Sequence, residues 1–94
     1  MKLQPADSFT LSSDVLSQEV NGETVLLDLQ GESYFGLNEA GTRIWQLLKD
    51  DVNFSLVMET LDAEYDVGRD QLETDVLELL ESLVDSGLIK LRVA

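Results

Sequence analysis

A chain of 94 residues makes one small domain, and at this length folding hides roughly 65% of the surface of the unfolded chain, so a core forms without staples. Nineteen acids against six bases give a formal net charge of −13, which argues against a nucleic-acid partner or an anionic membrane surface, since both need Lys or Arg to meet phosphates. With no Cys and no His, disulfides, thiolate metal sites, cysteine nucleophiles and the usual histidine base all fall away; the composition suits a binding protein that needs no metal or cofactor.

Residues 1–8 (MKLQPADS) are polar, hold the single proline, and read as a loose lead-in to a domain over residues 9–94. The first twenty residues lack the charged head and apolar stretch of a signal peptide, and no run of about 18 apolar residues follows, so a cytoplasmic location is the default expectation. Residues 14–20 form a strand that ends at Asn21-Gly22, a pair suited to a hairpin turn whose two central residues need positive φ. Residues 24–29 (TVLLDL) form a second strand, with Val25, Leu27 and Leu29 on one face by the two-residue period. Gln30-Gly31 allows a reversal into residues 32–37 (ESYFGL), and the three strands make a meander.

At Asn38 the period changes. Asn38 is a good N-cap, Glu39 suits the first helical turn, and Ile44, Trp45, Leu47 and Leu48 fall on one helical face. Ser55 is the candidate N-cap of a second helix carrying Leu56, Val57, Leu61 and Tyr65. A break at residues 66–68 leads into a long third helix over residues 69–86, which Gly87 stops in a left-handed conformation. The tail, residues 88–93 (LIKLRV), alternates as a short strand beside the meander would.

The order predicts an α+β fold resembling a winged helix-turn-helix: a three-stranded antiparallel β-meander packed on three α-helices, with a short C-terminal strand. Charge removes the DNA-binding function of such folds. The third helix, which would enter the groove, sets Arg69 against Asp70, Glu73, Asp75, Glu78, Glu81 and Asp85.

With Leu72 at zero and about 100° per residue, Val76, Leu79 and Leu83 lie within about 40° of Leu72 and suffice as a core-facing stripe. Leu77, Leu80 and Val84 cluster elsewhere, near 80–140°, with Glu73 among them and Glu81 on the far rim. Two explanations are open for this second stripe: a helix wedged between two neighbours, or one wall of a groove awaiting a partner. The third strand suits the groove. An uncovered strand edge offers N–H and C=O groups to an extended peptide, and nothing in ESYFGL blocks pairing, since it has no Pro or Lys and Glu32 is its only charge. Self-association through the same edge, giving a dimerising regulatory or structural module, is the competing reading.

Trp45 reads as core, and Tyr34 as core or partner anchor in equal measure. The acid pairs Asp50-Asp51 and Glu64/Asp66 lack calcium-loop spacing and read as solvated surface. Gly31, Gly36 and Gly41 do not form a nucleotide fingerprint, and Gly41 reads as a close-packing site.

In order, residues 25–48 (VLLDLQGESYFGLNEAGTRIWQLL), 61–67 (LDAEYDV) and 75–89 (DVLELLESLVDSGLI) resemble the PqqD-like family, the small leader-peptide recognition elements of ribosomal natural-product pathways. The most specific parts are Tyr34-Phe35-x-Leu37-Asn38 running into Ile44-Trp45, and Gly87-Leu88. The resemblance implies a protein without catalysis that binds the leader of a precursor peptide as a strand added to the third strand and lying against the third helix. The binding residues it implies are Glu32, Ser33, Tyr34, Phe35, Gly36, Glu73, Leu77, Leu80, Glu81 and Val84, and the further partner is a maturation enzyme such as a leader peptidase, cyclase or radical-SAM enzyme. Members serving pyrroloquinoline quinone synthesis resemble LLYPE at the end of the second strand. Here that stretch is Leu26-Leu27-Asp28-Leu29-Gln30, without proline, and the segment from Gly31 to Asn38 is more similar to the recognition proteins of the lasso-peptide type, with a quinone-pathway peptide chaperone as the alternative.

Overall fold

A computed structural model describes residues 2–93. The elements run β1 (Ser8–Leu11), β2 (Val15–Val20), β3 (Glu23–Asp28), β4 (Ser33–Leu37), α1 (Glu39–Lys49), α2 (Phe54–Glu64), α3 (Arg69–Asp85) and β5 (Ile89–Arg92). Strands β2, β3 and β4 form the antiparallel meander in that order, packed on the helices to give the α+β arrangement.

Turn chemistry builds the meander. Asn21 and Gly22 take φ of 55° and 83°, the paired left-handed residues of a two-residue hairpin. The second reversal differs from expectation: its left-handed residue is Glu32, at φ 53°, so β4 begins at Ser33 and Glu32 belongs to the turn. Gly31 packs beside the Asp28 side chain, one carboxylate oxygen of which accepts the Gln30 N–H at 3.1 Å.

Cross-strand partners share a face. The pairs Leu26↔Phe35 and Thr24↔Leu37 point to the helices. Leu16↔Leu27, Leu27↔Tyr34 and Val25↔Gly36 point away from them. Val25 and Leu27 therefore share a face as the period requires, but it is the solvent face, and Leu29 just beyond β3 is exposed too.

Asn38 caps α1 by accepting the Gly41 N–H at 2.8 Å, and the helix buries Ile44, Trp45, Leu47 and Leu48. Gly41 is a close-packing site: a Cβ there would lie 3.2 Å from Leu37 Cβ. The cap of α2 is Asn53, not Ser55; its side chain accepts the Leu56 N–H at 2.9 Å, leaving Ser55 inside the first turn. Two further N–H groups at this helix start are satisfied from the N-terminal segment, Phe54 by the Asp7 carbonyl at 2.8 Å and Ser55 by the Pro5 carbonyl at 2.9 Å. The segment read as loose is thus tied down from residue 4 onward, with Asp7 buried.

Gly87, at φ 75°, closes α3: its N–H reaches the Val84 carbonyl and the Leu88 N–H reaches the Leu83 carbonyl, both at 3.0 Å, with Leu83 and Leu88 buried. The chain then enters β5, which pairs with β1 from Ser8↔Arg92 to Leu11↔Ile89 rather than joining the meander. The reason is local. Phe9 and Ile89 are apolar anchors of one core, and the closing turn of α3 delivers Ile89 beside β1.

Candidate functional site

The edge of β4 is open. β4 pairs only with β3, and among the described residues no backbone hydrogen bond outside that ladder ends on Ser33–Leu37. The C-terminal strand, the nearest candidate to close that edge from within, lies on β1. β2 is the other margin of the meander, so geometry beyond the edge decides where a guest would lie.

Two cavities flank β4. The larger, about 460 Å³, opens where β4 meets α1 and is lined by Gly36, Leu37, Ile44, Tyr65, Leu72 and Leu79, among others. The smaller, about 210 Å³, lies by the start of β4 against Ser33, Tyr34, Phe35, Ser86 and Leu88. Neither is lined by a residue of β2. The larger is an apolar cleft between the Leu37 end of β4 and α3; the smaller shares no lining residue with it and on that side meets only Ser86 and Leu88, just past the end of α3.

Of the predicted site, Gly36 lines the larger cavity and Ser33, Tyr34 and Phe35 the smaller, while its helical half lines neither. Leu80 has 0% exposure and belongs to the core. Leu77 and Val84 are half-buried against the core, Glu73 and Glu81 are exposed, and none of these four lines either cavity. The wall that α3 supplies is Leu72, Asp75, Val76 and Leu79. Of the second stripe Leu80 is core, because α3 is held by α2 along one side and by β5 along another, and its buried face is Leu72, Val76, Leu80 and Leu83. That face centres about 35° from Leu72, which carries Leu80 inward and leaves Leu79 at the rim. The composition of α3 alone held no sign of this rotation. The contributions of Tyr65 and Val67 from the α2–α3 connection were equally unmarked, because their approach to β4 is set by how the helices pack.

The cleft has one carboxylate on its α3 wall, Asp75, held by the Gln71 amide at 2.9 Å. Arg43 of α1 grips both carboxylate oxygens of Glu64 on α2, with Nε to Oε1 at 2.9 Å and Nη2 to Oε2 at 2.8 Å, next to the cleft residue Tyr65. These hydrogen bonds hold the Glu64 carboxyl below its ordinary value and raise the Arg43 guanidinium above its own, each against a smaller desolvation effect. The acids read as plain surface are partly engaged: Glu64 as above, and Asp51 in an ion pair with Arg92. Trp45 is core, at 4% exposure, whereas Tyr34 is 78% exposed on the outer sheet face. Among the described residues no three metal-ligating side chains gather, and no helix is long and apolar enough to cross a membrane.

The family model described as coenzyme PQQ synthesis protein D (PqqD) matches residues 23–89, from the start of β3 to the start of β5. The chain belongs to the PqqD family. A curated relative, the PqqA binding protein of Methylococcus capsulatus, is 30% identical over 90 residues, covering 96% of this chain and 95% of its own. Among solved structures, TbiB1 in complex with the TbiA(beta) leader peptide superposes with a TM-score of 0.80 at 36% identity, covering 85% of this chain and 93% of that one. A lasso peptide synthetase B1 complexed with the leader peptide superposes with a TM-score of 0.79 at 30% identity, covering 88% and 98%. The PqqD-family fold is thus shared with proteins whose structures hold a leader peptide.

Proposed function

We propose that this chain is a non-catalytic cytoplasmic adaptor that captures the leader of a ribosomally made precursor peptide as a strand added to β4, and presents it to a modifying enzyme. The observation that carries this is the open β4 edge lying beside an apolar cleft. Main-chain bonds along such an edge give affinity to any extended peptide, and pockets for alternate side chains give selectivity. A strand advances about 3.3 Å per residue, so guest residues two or four positions apart reach the two cavities in turn. Micromolar binding needs about −8.2 kcal/mol, more than four to six strand bonds at roughly 0.5–1.5 kcal/mol each leave after the guest is ordered. Two or three apolar guest anchors at roughly 1.5–3 kcal/mol each supply the remainder, and Leu37, Leu72 and Leu79 are placed to receive them.

Similarity to a PqqA binding protein and to two leader-peptide complexes supports the same reading. The lasso-peptide type is favoured within the family by the similarity to a lasso peptide synthetase B1 and by the absence of proline at the end of β3. An NMR titration of the whole chain with the leader of its co-encoded precursor tests the proposal. Saturable shifts concentrated on Ser33–Leu37 and on residues 72–79 are expected. Absence of saturable shifts, or shifts confined to β2, overturns it.

A further inference from the structure

The helix-averted face of the meander is apolar and uncovered. Along one row stand Leu16, Leu27 and Tyr34, paired across the three strands; Val25 follows opposite Gln18, and Val20 opposite Glu23. All five are exposed, Leu16 at 55% and Leu27 at 40%, although they occupy the central strand as well as both margins. A soluble monomer rarely leaves such a contiguous patch on a sheet, where alternation normally turns polar residues outward. Its surroundings carry one sign of charge. Residues 3–42 include no Lys or Arg; Glu23 stands on this face opposite Val20, and Asp14 and Glu32 lie at the strand ends, whereas Glu19, which meets Gln46 of α1, and Asp28 belong to the helix-facing side.

We propose that this outer face is the docking surface for the modifying enzyme, and that the enzyme meets it with an apolar patch rimmed by Lys and Arg. The inference rests on the adaptor function proposed above. Charge selects the occupant. A second copy would set two acid-rimmed, cation-free meanders against each other, which costs rather than contributes, whereas a basic rim is complementary. Position adds a reason: a guest strand on β4 extends this same sheet, and its alternate side chains emerge on the outer face beside Tyr34. An enzyme seated there contacts adaptor and guest together, so it binds the loaded adaptor more tightly than the empty one, and by linkage the leader binds more tightly in its presence.

The test uses the whole chain, the purified enzyme that processes the co-encoded precursor, and two variants. Leu16→Thr with Leu27→Thr removes apolar surface at exposed positions while keeping β-compatible side chains, and Glu23→Lys inverts one rim charge. Both variants are expected to bind leader within about twofold of the parent, since the cleft is separate. Both should bind the enzyme at least about tenfold more weakly, and the parent–enzyme affinity should fall as salt is raised. Unchanged enzyme affinity in both variants overturns the proposal. So does a parent dimer, seen by sedimentation, that the Leu16→Thr/Leu27→Thr exchange dissolves, because the face is then taken by a second copy. Failure of the parent to bind leader would sink the adaptor function itself, and it is read in a separate assay.

Discussion

Leu79 and Leu80 are neighbours in sequence with opposite assignments, and exchanging each for alanine separates core from cleft. Leu80 is fully enclosed, at 0% exposure, and truncating such a leucine costs about 2–5 kcal/mol through lost burial and the cavity left behind. A domain of this length holds about 5–14 kcal/mol in all, so Leu80→Ala should move the urea midpoint markedly. Leu79 sits half-buried on the cleft rim, and its truncation should cost about 1 kcal/mol of stability. It should however remove an apolar guest contact worth about 1.5 kcal/mol, weakening leader binding about tenfold. The single tryptophan, buried Trp45, reports unfolding by its fluorescence, and anisotropy of a labelled leader reports affinity. If Leu80→Ala were as stable as the parent and weakened leader binding more than Leu79→Ala did, the cleft would lie on the other flank of α3.

Three further outcomes follow from local geometry. Asn53→Ala should cost about 1 kcal/mol by removing the cap of α2, and Ser55→Ala much less; equal urea midpoints for the two would contradict the assignment of the cap. Gly87→Ala should cost about 1 kcal/mol in the same assay, because its φ of 75° disfavours any Cβ. Arg43 depresses the folded-state value of Glu64, so the contribution of the pair is complete above the unfolded carboxylate range and is lost as pH falls through the depressed value. The gap in urea midpoint between the parent and Glu64→Gln should therefore be small, since both side chains are about a third or more exposed, and should close on acidification; a gap independent of pH would refute this.

What was legible in the sequence was local. Asn21-Gly22, Asn38 and Gly87 each state a backbone requirement within a few residues, and each stands as read. The open β4 edge was legible too, because ESYFGL lacks anything that blocks pairing. What needed the third dimension was orientation. The two-residue period placed Val25 and Leu27 together but could not say which side of the sheet the helices would cover. Likewise the helical period of α3 gave a wide apolar arc, and only packing by α2 and β5 decides that Leu80 turns inward and Leu79 lines the cleft. Long-range pairing was the other gap: β1 and β5 lie at opposite ends of the chain, and short alternating runs such as SFTL and IKLR do not name their partners.

Hydrogen exchange at the β4 amides, measured with and without leader, probes strand addition most directly. An added strand ties up the outward N–H groups of Ser33–Leu37, so those amides should exchange far more slowly in the complex while the amides of β2 keep their rates. Saturable leader binding that slows exchange on β2, or leaves β4 unchanged, would contradict capture at this edge.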